Sequence, residues 1–149
     1  MSKKTYKGKD KFSKTTHKSP IASDNDHIIW VFDKCDKNGA FAFNIDRIES
    51  GGHLREIMDK MIAYESMTWA DIKMQTHDGG KSKHHMLDTS GMSDEALDRI
   101  KAMNLLEDDD SIFSFALRNK LRIIGVRENK LFHVIWYDPE HRFYPSKKK

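Results

Sequence analysis

Residues 112–144, IFSFALRNKLRIIGVRENKLFHVIWYDPEHRFY, hold three apolar runs separated by two short polar breaks, Arg118-Asn119-Lys120 and Glu128-Asn129-Lys130. Runs rich in Ile, Val, Phe, Trp and Tyr, bounded by Asn, predict an antiparallel three-strand meander, because β-branched and aromatic side chains suit a pleated surface and Asn tolerates the backbone of a tight turn. The residues that interrupt its runs are largely cationic or imidazole: Arg118, Arg122, Arg127, His133, His141 and Arg142.

A second sheet element is expected at residues 27–45. HIIWVFDKC reads as a strand, Asp36-Lys37-Asn38-Gly39 as a turn, and AFAFNI as an alternating strand with Phe41, Phe43 and Ile45 on one face. Together these predict a hairpin. The turn superficially resembles a calcium loop, but that alignment gives Lys34 and Ile45 as its first and last ligands, which neither side chain can be.

Between the two sheet elements the period changes to that of helices. Leu54, Ile57, Met58, Met61 and Ile62 recur at i, i+3, i+4, i+7, i+8, with Gly51-Gly52 marking the start. Thr68 with Asp71 three residues on is a capping box for a short helix over about 68–75. Ser93, followed by Asp94 and Glu95, caps a helix over about 94–104 with Ala96, Leu97, Ile100 and Met103 inward. The expected fold class is α+β: an antiparallel sheet, made of the N-terminal hairpin and the C-terminal meander, with helices packed on one face and the other face left for a ligand.

The 149 residues suffice for one domain, expected over 27–145 between a basic disordered arm at 1–26 and a basic tail at 146–149. The first 18 residues carry seven Lys and one Asp, and Lys147, Lys148 and Lys149 end the chain. A +3 chain whose ends hold +6 and +3 has −6 between them, so the basic balance belongs to the tails. Such tails touch phosphate or remain solvated. No apolar run reaches about 18 residues, so no membrane span is expected. A single cysteine, Cys35, and the absence of an apolar segment after Met1-Ser2-Lys3-Lys4 point to a cytoplasmic protein.

Chemistry is expected in two places. The loop His77-Asp78-Gly79-Gly80-Lys81-Ser82-Lys83-His84-His85 combines backbone freedom, cations and imidazoles. His84 or His85 would act as general acid or base, with Lys81 and Lys83 on phosphate. On the meander, His133, Tyr137 and His141 are the further catalytic candidates and Arg122 and Arg127 the further phosphate ligands. Strand parity puts His133 and Tyr137 on one face and Phe132, Val134 and Trp136 on the other, and leaves the facing of Arg122 and Arg127 open. Without an HExxH pattern or a cysteine pair, no metal or other cofactor is expected.

The order of these segments, from Met67-Thr68-Trp69 through Lys81–His85 to Ile112–Phe115 and Phe132–His141, resembles a family of small bacterial proteins. More loosely, two packed helices followed by an Arg-Ile-Ile-Gly strand and a Phe-His-Val-Ile-Trp strand resemble the RelE/ParE-like toxins of bacterial toxin–antitoxin systems. That resemblance implies a metal-independent endoribonuclease (a hydrolase acting on RNA, including ribosome-bound mRNA) neutralised by a cognate antitoxin, or, on the ParE side, a gyrase poison that cuts no RNA. The alternatives that keep no chemistry are a non-catalytic binding module working through its tails, and an inhibitor whose acidic middle binds a basic protein.

Overall fold

The computed structural model describes residues 22–76 and 80–145. Its centre is a five-stranded sheet: β1 (Ile29–Val31), β2 (His85–Met86), β3 (Ile112–Ala116), β4 (Arg122–Glu128) and β5 (Leu131–Asp138), in the order β1-β5-β4-β3-β2. The meander β3-β4-β5 is present, and Asn119 and Asn129 sit at φ 56° and 57° in its two turns, the left-handed backbone that Asn accepts more readily than most residues. The helices are α1 (Ile45–Ser50), α2 (Leu54–Glu65), α3 (Trp69–Lys73) and α4 (Asp94–Ala102). Gly51-Gly52 divide α1 from α2. Thr68 and Asp71 complete the capping box of α3, and Ser93 accepts from the Ala96 N–H to cap α4.

The fold is α+β, but the sheet is mixed, not purely antiparallel. The N-terminal hairpin does not form. β1 runs parallel to β5, pairing Ile29–Val31 with Leu131–His133, while Ala42 bridges Trp136 further along the same edge. Both expected hairpin arms thus line up on β5 instead of on each other. Phe41 and Phe43 part company, the first entering one core and the second packing against the other, and Ile45 opens α1. The cause is tertiary. The Asp36 carboxylate is drawn inside, where Arg99 and the Trp136 indole hold it, and a wide loop replaces the tight turn.

Both faces of the sheet are covered, contrary to the expectation of helices on one face. Phe113, Phe115, Ile123, Phe132 and Val134 pack under α1, α2 and α3, with Ile48, Ile57, Tyr64 and Trp69 opposite them. Their strand neighbours Ile112, Ile124, Val126 and Ile135 pack under α4 with Ala96 and Ile100. The alternation of cluster along β3 is the period-2 pleat made visible.

A bulge on β5 breaks that alternation. Ile124 pairs with Trp136 but Gly125 pairs with Val134, so Ile135 is an extra residue. Trp136 therefore falls on the α4 side and Tyr137 on the α2 side. His133 and Tyr137, expected to share a face, lie on opposite ones.

Residues 22–26, expected to belong to the disordered arm, are folded. Ala22–Asn25 form a 3-10 turn, and Asp24 is buried against Arg127 (2.7 Å) and Lys73 (3.0 Å). The rest of the arm and the basic tail fall outside the described residues. Among the described residues, no helix is long and apolar enough to cross a membrane.

Tyr64 illustrates how tightly the α2 face is closed. Its ring stacks on Phe115, and its hydroxyl donates to the Ala116 carbonyl at 3.3 Å. Burial, with the Glu56 charge adding to it, pushes this phenol from 10.0 up to about 12. A folded value above the unfolded one means that the stabilisation is complete below pH 10 and lost as pH rises through about 12. Urea titrations should show the advantage of the wild type over Tyr64→Phe shrinking by about 2 kcal/mol across that interval. An unchanged difference would mean that the phenol ionises without hindrance.

Candidate functional site

The nine residues expected to carry chemistry do not form one site. His84 is in the core, 2 % exposed, between Tyr64 and Phe115. Its Nδ1 accepts from the Ala116 N–H at 3.1 Å, so the proton is on Nε2, which faces Gln75 Oε1 at 2.6 Å. Nδ1 thus ties the loop to β3, and Nε2 ties its end back to Gln75, just after α3. Lys81 is exposed and Lys83 partly buried. His77 of the same loop lies outside the described residues.

Three more candidates are occupied by structural contacts. His133 has Asp33 Oδ1 at 2.8 Å from Nδ1 and Glu128 Oε1 at 2.9 Å from Nε2, so both ring nitrogens are engaged. The contact with His133 holds the Asp33 carboxyl below its ordinary value. Arg127, on the opposite face, stacks over Trp69 with its guanidinium carbon 4.0 Å from the ring centroid and pairs with Asp24. Tyr137 is buried, its hydroxyl 2.6 Å from His53 Nδ1, in the space that a side chain at Gly51 would fill.

The remaining three, His85, Arg122 and His141, converge. Ladder register brings them together: His85 is opposite Ser114, Ala116 is opposite Arg122, and Arg122 is opposite Asp138. Opposed residues share a face, so His85, Ser114, Arg122 and Asp138 all lie on the α4 side, at the end of the sheet where β4 begins and β5 ends.

Asp138 then builds the turn that carries His141. Its buried carboxylate accepts the Arg142 N–H at 2.9 Å and the Phe143 N–H at 2.8 Å. His141 is held at φ 60°, left-handed backbone that a residue with a Cβ rarely adopts. Burial lowers the His141 pKa from 6.5. The Arg122, His85 and Lys120 charges lower it further, while Asp138 opposes them. Arg122 is itself partly buried, its guanidinium fixed on the Asn119 and Leu121 carbonyls at 2.8 and 3.0 Å. Tyr144 stands against His85, ring centroids 6.2 Å apart, over Gly91, whose missing side chain leaves the room.

The result is a cationic cluster, two imidazoles and a phenol ring about a guanidinium fixed on backbone carbonyls, which makes it a candidate recess for an anion. Such a group can bind a phosphate and move protons beside it. The sequence reading included His85, Arg122 and His141 among its candidates but did not single them out as a group. It missed Asp138 and Tyr144 as contributors to the site. Asp138 could have been found as the residue facing Arg122, had the bulge been visible. Tyr144 carries no local signal.

The family model described as Uncharacterised protein UU032 matches residues 46–149, which include the whole recess and leave out β1 and the Asp36 loop. The chain belongs to that family. No curated protein and no solved structure matches it.

Proposed function

We propose that this member of the UU032 family is a metal-independent endoribonuclease of toxin type, acting through the recess formed by His85, Arg122 and His141. The observation that carries the reading is His141. A half-buried histidine at φ 60°, in a turn that a buried aspartate fixes through the next two backbone N–H groups, with Arg122, His85 and Lys120 around it, is a strained arrangement of the kind that collects at functional sites. It suits a general base that must be neutral beside a bound anion.

In the proposed reaction His141 removes the proton of a ribose 2′-hydroxyl. The oxygen attacks the adjacent phosphorus, Arg122 and Lys120 offset the charge on the phosphorane, and His85 protonates the departing 5′-oxygen. The products are a 2′,3′-cyclic phosphate and a 5′-hydroxyl. Tyr144 offers a base a ring to stack on. In a toxin–antitoxin setting the antitoxin would silence the protein by covering this recess.

The test is cleavage of RNA by the purified protein in EDTA, with and without ribosomes. His141→Ala and His85→Ala are each expected to lower the rate on the order of a hundredfold with thermal stability retained. The base must be unprotonated, so the acid limb of the pH–rate profile should fall below pH 6.5, and Arg122→Gln should move it upward by removing a cation. Equal rates for all variants, or no cleavage by the wild type, would sink the nuclease reading. The same cations and the His85–Tyr144 ring pair favour a non-catalytic nucleic-acid-binding module as the second reading. RNA bound but left intact would select it.

A further inference from the structure

On the α2 side of the same end of the sheet lies a groove of about 500 Å³. One wall is the polar face of α2, where Arg55, Glu56, Asp59 and Lys60 follow helical spacing. The other carries Lys83 and Arg118. Four cations meet two carboxylates, and one carboxylate is already committed: Glu56 accepts the Arg118 N–H at 2.7 Å and lies 3.6 Å from its guanidinium.

Two short pieces of chain join this groove to the recess. Arg118 is in the groove and Lys120, whose charge reaches His141, is two residues on in the same turn. Lys83 is in the groove and His85 in the recess, again two residues apart. Two residues span at most about 7 Å, so in each case the backbone carrying these side chains crosses from the groove to the recess around the sheet end within that distance.

We infer that the groove binds the single-stranded flank of the RNA whose scissile phosphate enters the recess, an inference that rests on the reading of the recess as an RNA site. The partner is a flexible polyanion. A rigid duplex does not suit a track that passes from one face of a sheet to the other around a tight turn, whereas a single strand follows it. Arg55 and Lys60 make the sequence-independent backbone contacts that dominate affinity in such tracks.

The experiment compares wild type with the double variant Arg55→Ala/Lys60→Ala, both changes falling on the polar face of α2, where alanine favours the helix. Fluorescence anisotropy reads binding of a labelled single-stranded RNA of roughly ten nucleotides, and cleavage of a dinucleotide reads the recess alone. The variant should lose affinity for the oligonucleotide on the order of tenfold, with the salt slope falling by about 0.7 per cation removed, while the dinucleotide is cut at the wild-type rate. Unchanged affinity and slope would overturn the groove. Groove-dependent binding by a wild type that cuts neither RNA would uphold the groove and overturn the catalytic reading. No binding of the oligonucleotide by the wild type would overturn the groove, and no cleavage of the dinucleotide besides would overturn the catalytic reading as well.

Discussion

Gly125→Ala is expected to unfold the protein or leave it barely stable, a loss of more than about 4 kcal/mol from a domain whose whole stability is of the order of 5–15. A Cβ built at Gly125 would stand 1.9 Å from the His133 carbonyl oxygen and 3.0 Å from the Phe132 ring. The nearer obstacle is backbone in the neighbouring central strand, so no rotamer change relieves it. Moving β5 away would break its ladder with β4 and, through β5, the seat of β1. The glycine stands beside the bulge, where the extra residue brings the two backbones together. Thermal denaturation followed by circular dichroism reads the effect, and Gly125→Ser should behave alike. A variant melting within a few degrees of wild type would show that the two strands stand further apart.

The bulge also explains why the sequence disclosed the meander but not its faces. The apolar runs and the two Asn turns are local signals, and the strands follow them. Counting across the Asn129 turn from Glu128 opposite Leu131 pairs Arg122 with Tyr137, whereas the structure pairs it with Asp138. One inserted residue, with nothing in its side chain to announce it, exchanges the two sides of the sheet for Trp136, Tyr137 and Asp138. The recess assembled on those residues was hidden by the same shift. Helices with local caps, such as α3 and α4, were legible because a capping residue and its partner lie three apart in the chain.

His84 and His133 show the corresponding limit for chemistry. Neighbouring lysines and histidines in a polar loop read the same whether an imidazole faces solvent or the core. What distinguishes His84 is the Ala116 N–H, 32 residues away, and what distinguishes His133 is Asp33, 100 residues away. Composition supports the expectation of an anionic ligand but not the residues that would meet it. Only register separated the imidazoles that hold the fold together from the two that rim the recess.

The turn at Asp36–Gly39 carries an Asn-Gly hairpin signature, but in the fold it receives Arg99. Gly39, at φ 86°, lies so close beneath that side chain that a Cβ would stand 2.6 Å from Arg99 Cδ. The guanidinium meets Asp36 with two nitrogens, at 2.8 and 2.9 Å, and the carboxylate also accepts the Trp136 indole N–H and the Asn38 N–H, each at 3.0 Å. Asp36 is 2 % exposed, whereas the Arg99 side chain is 23 % exposed, so the two partners are not equivalent. Arg99→Ala leaves a buried carboxylate with two neutral donors and is expected to cost about 3 kcal/mol, lowering Tm by about 10 °C. Adding Asp36→Asn removes the stranded charge while keeping an oxygen for the indole. The double variant should therefore be more stable than Arg99→Ala alone, although it carries one more substitution. If the second change instead deepened the loss, the charge on Asp36 would not be what Arg99 compensates, and the ion pair would hold α4 to the sheet through packing alone.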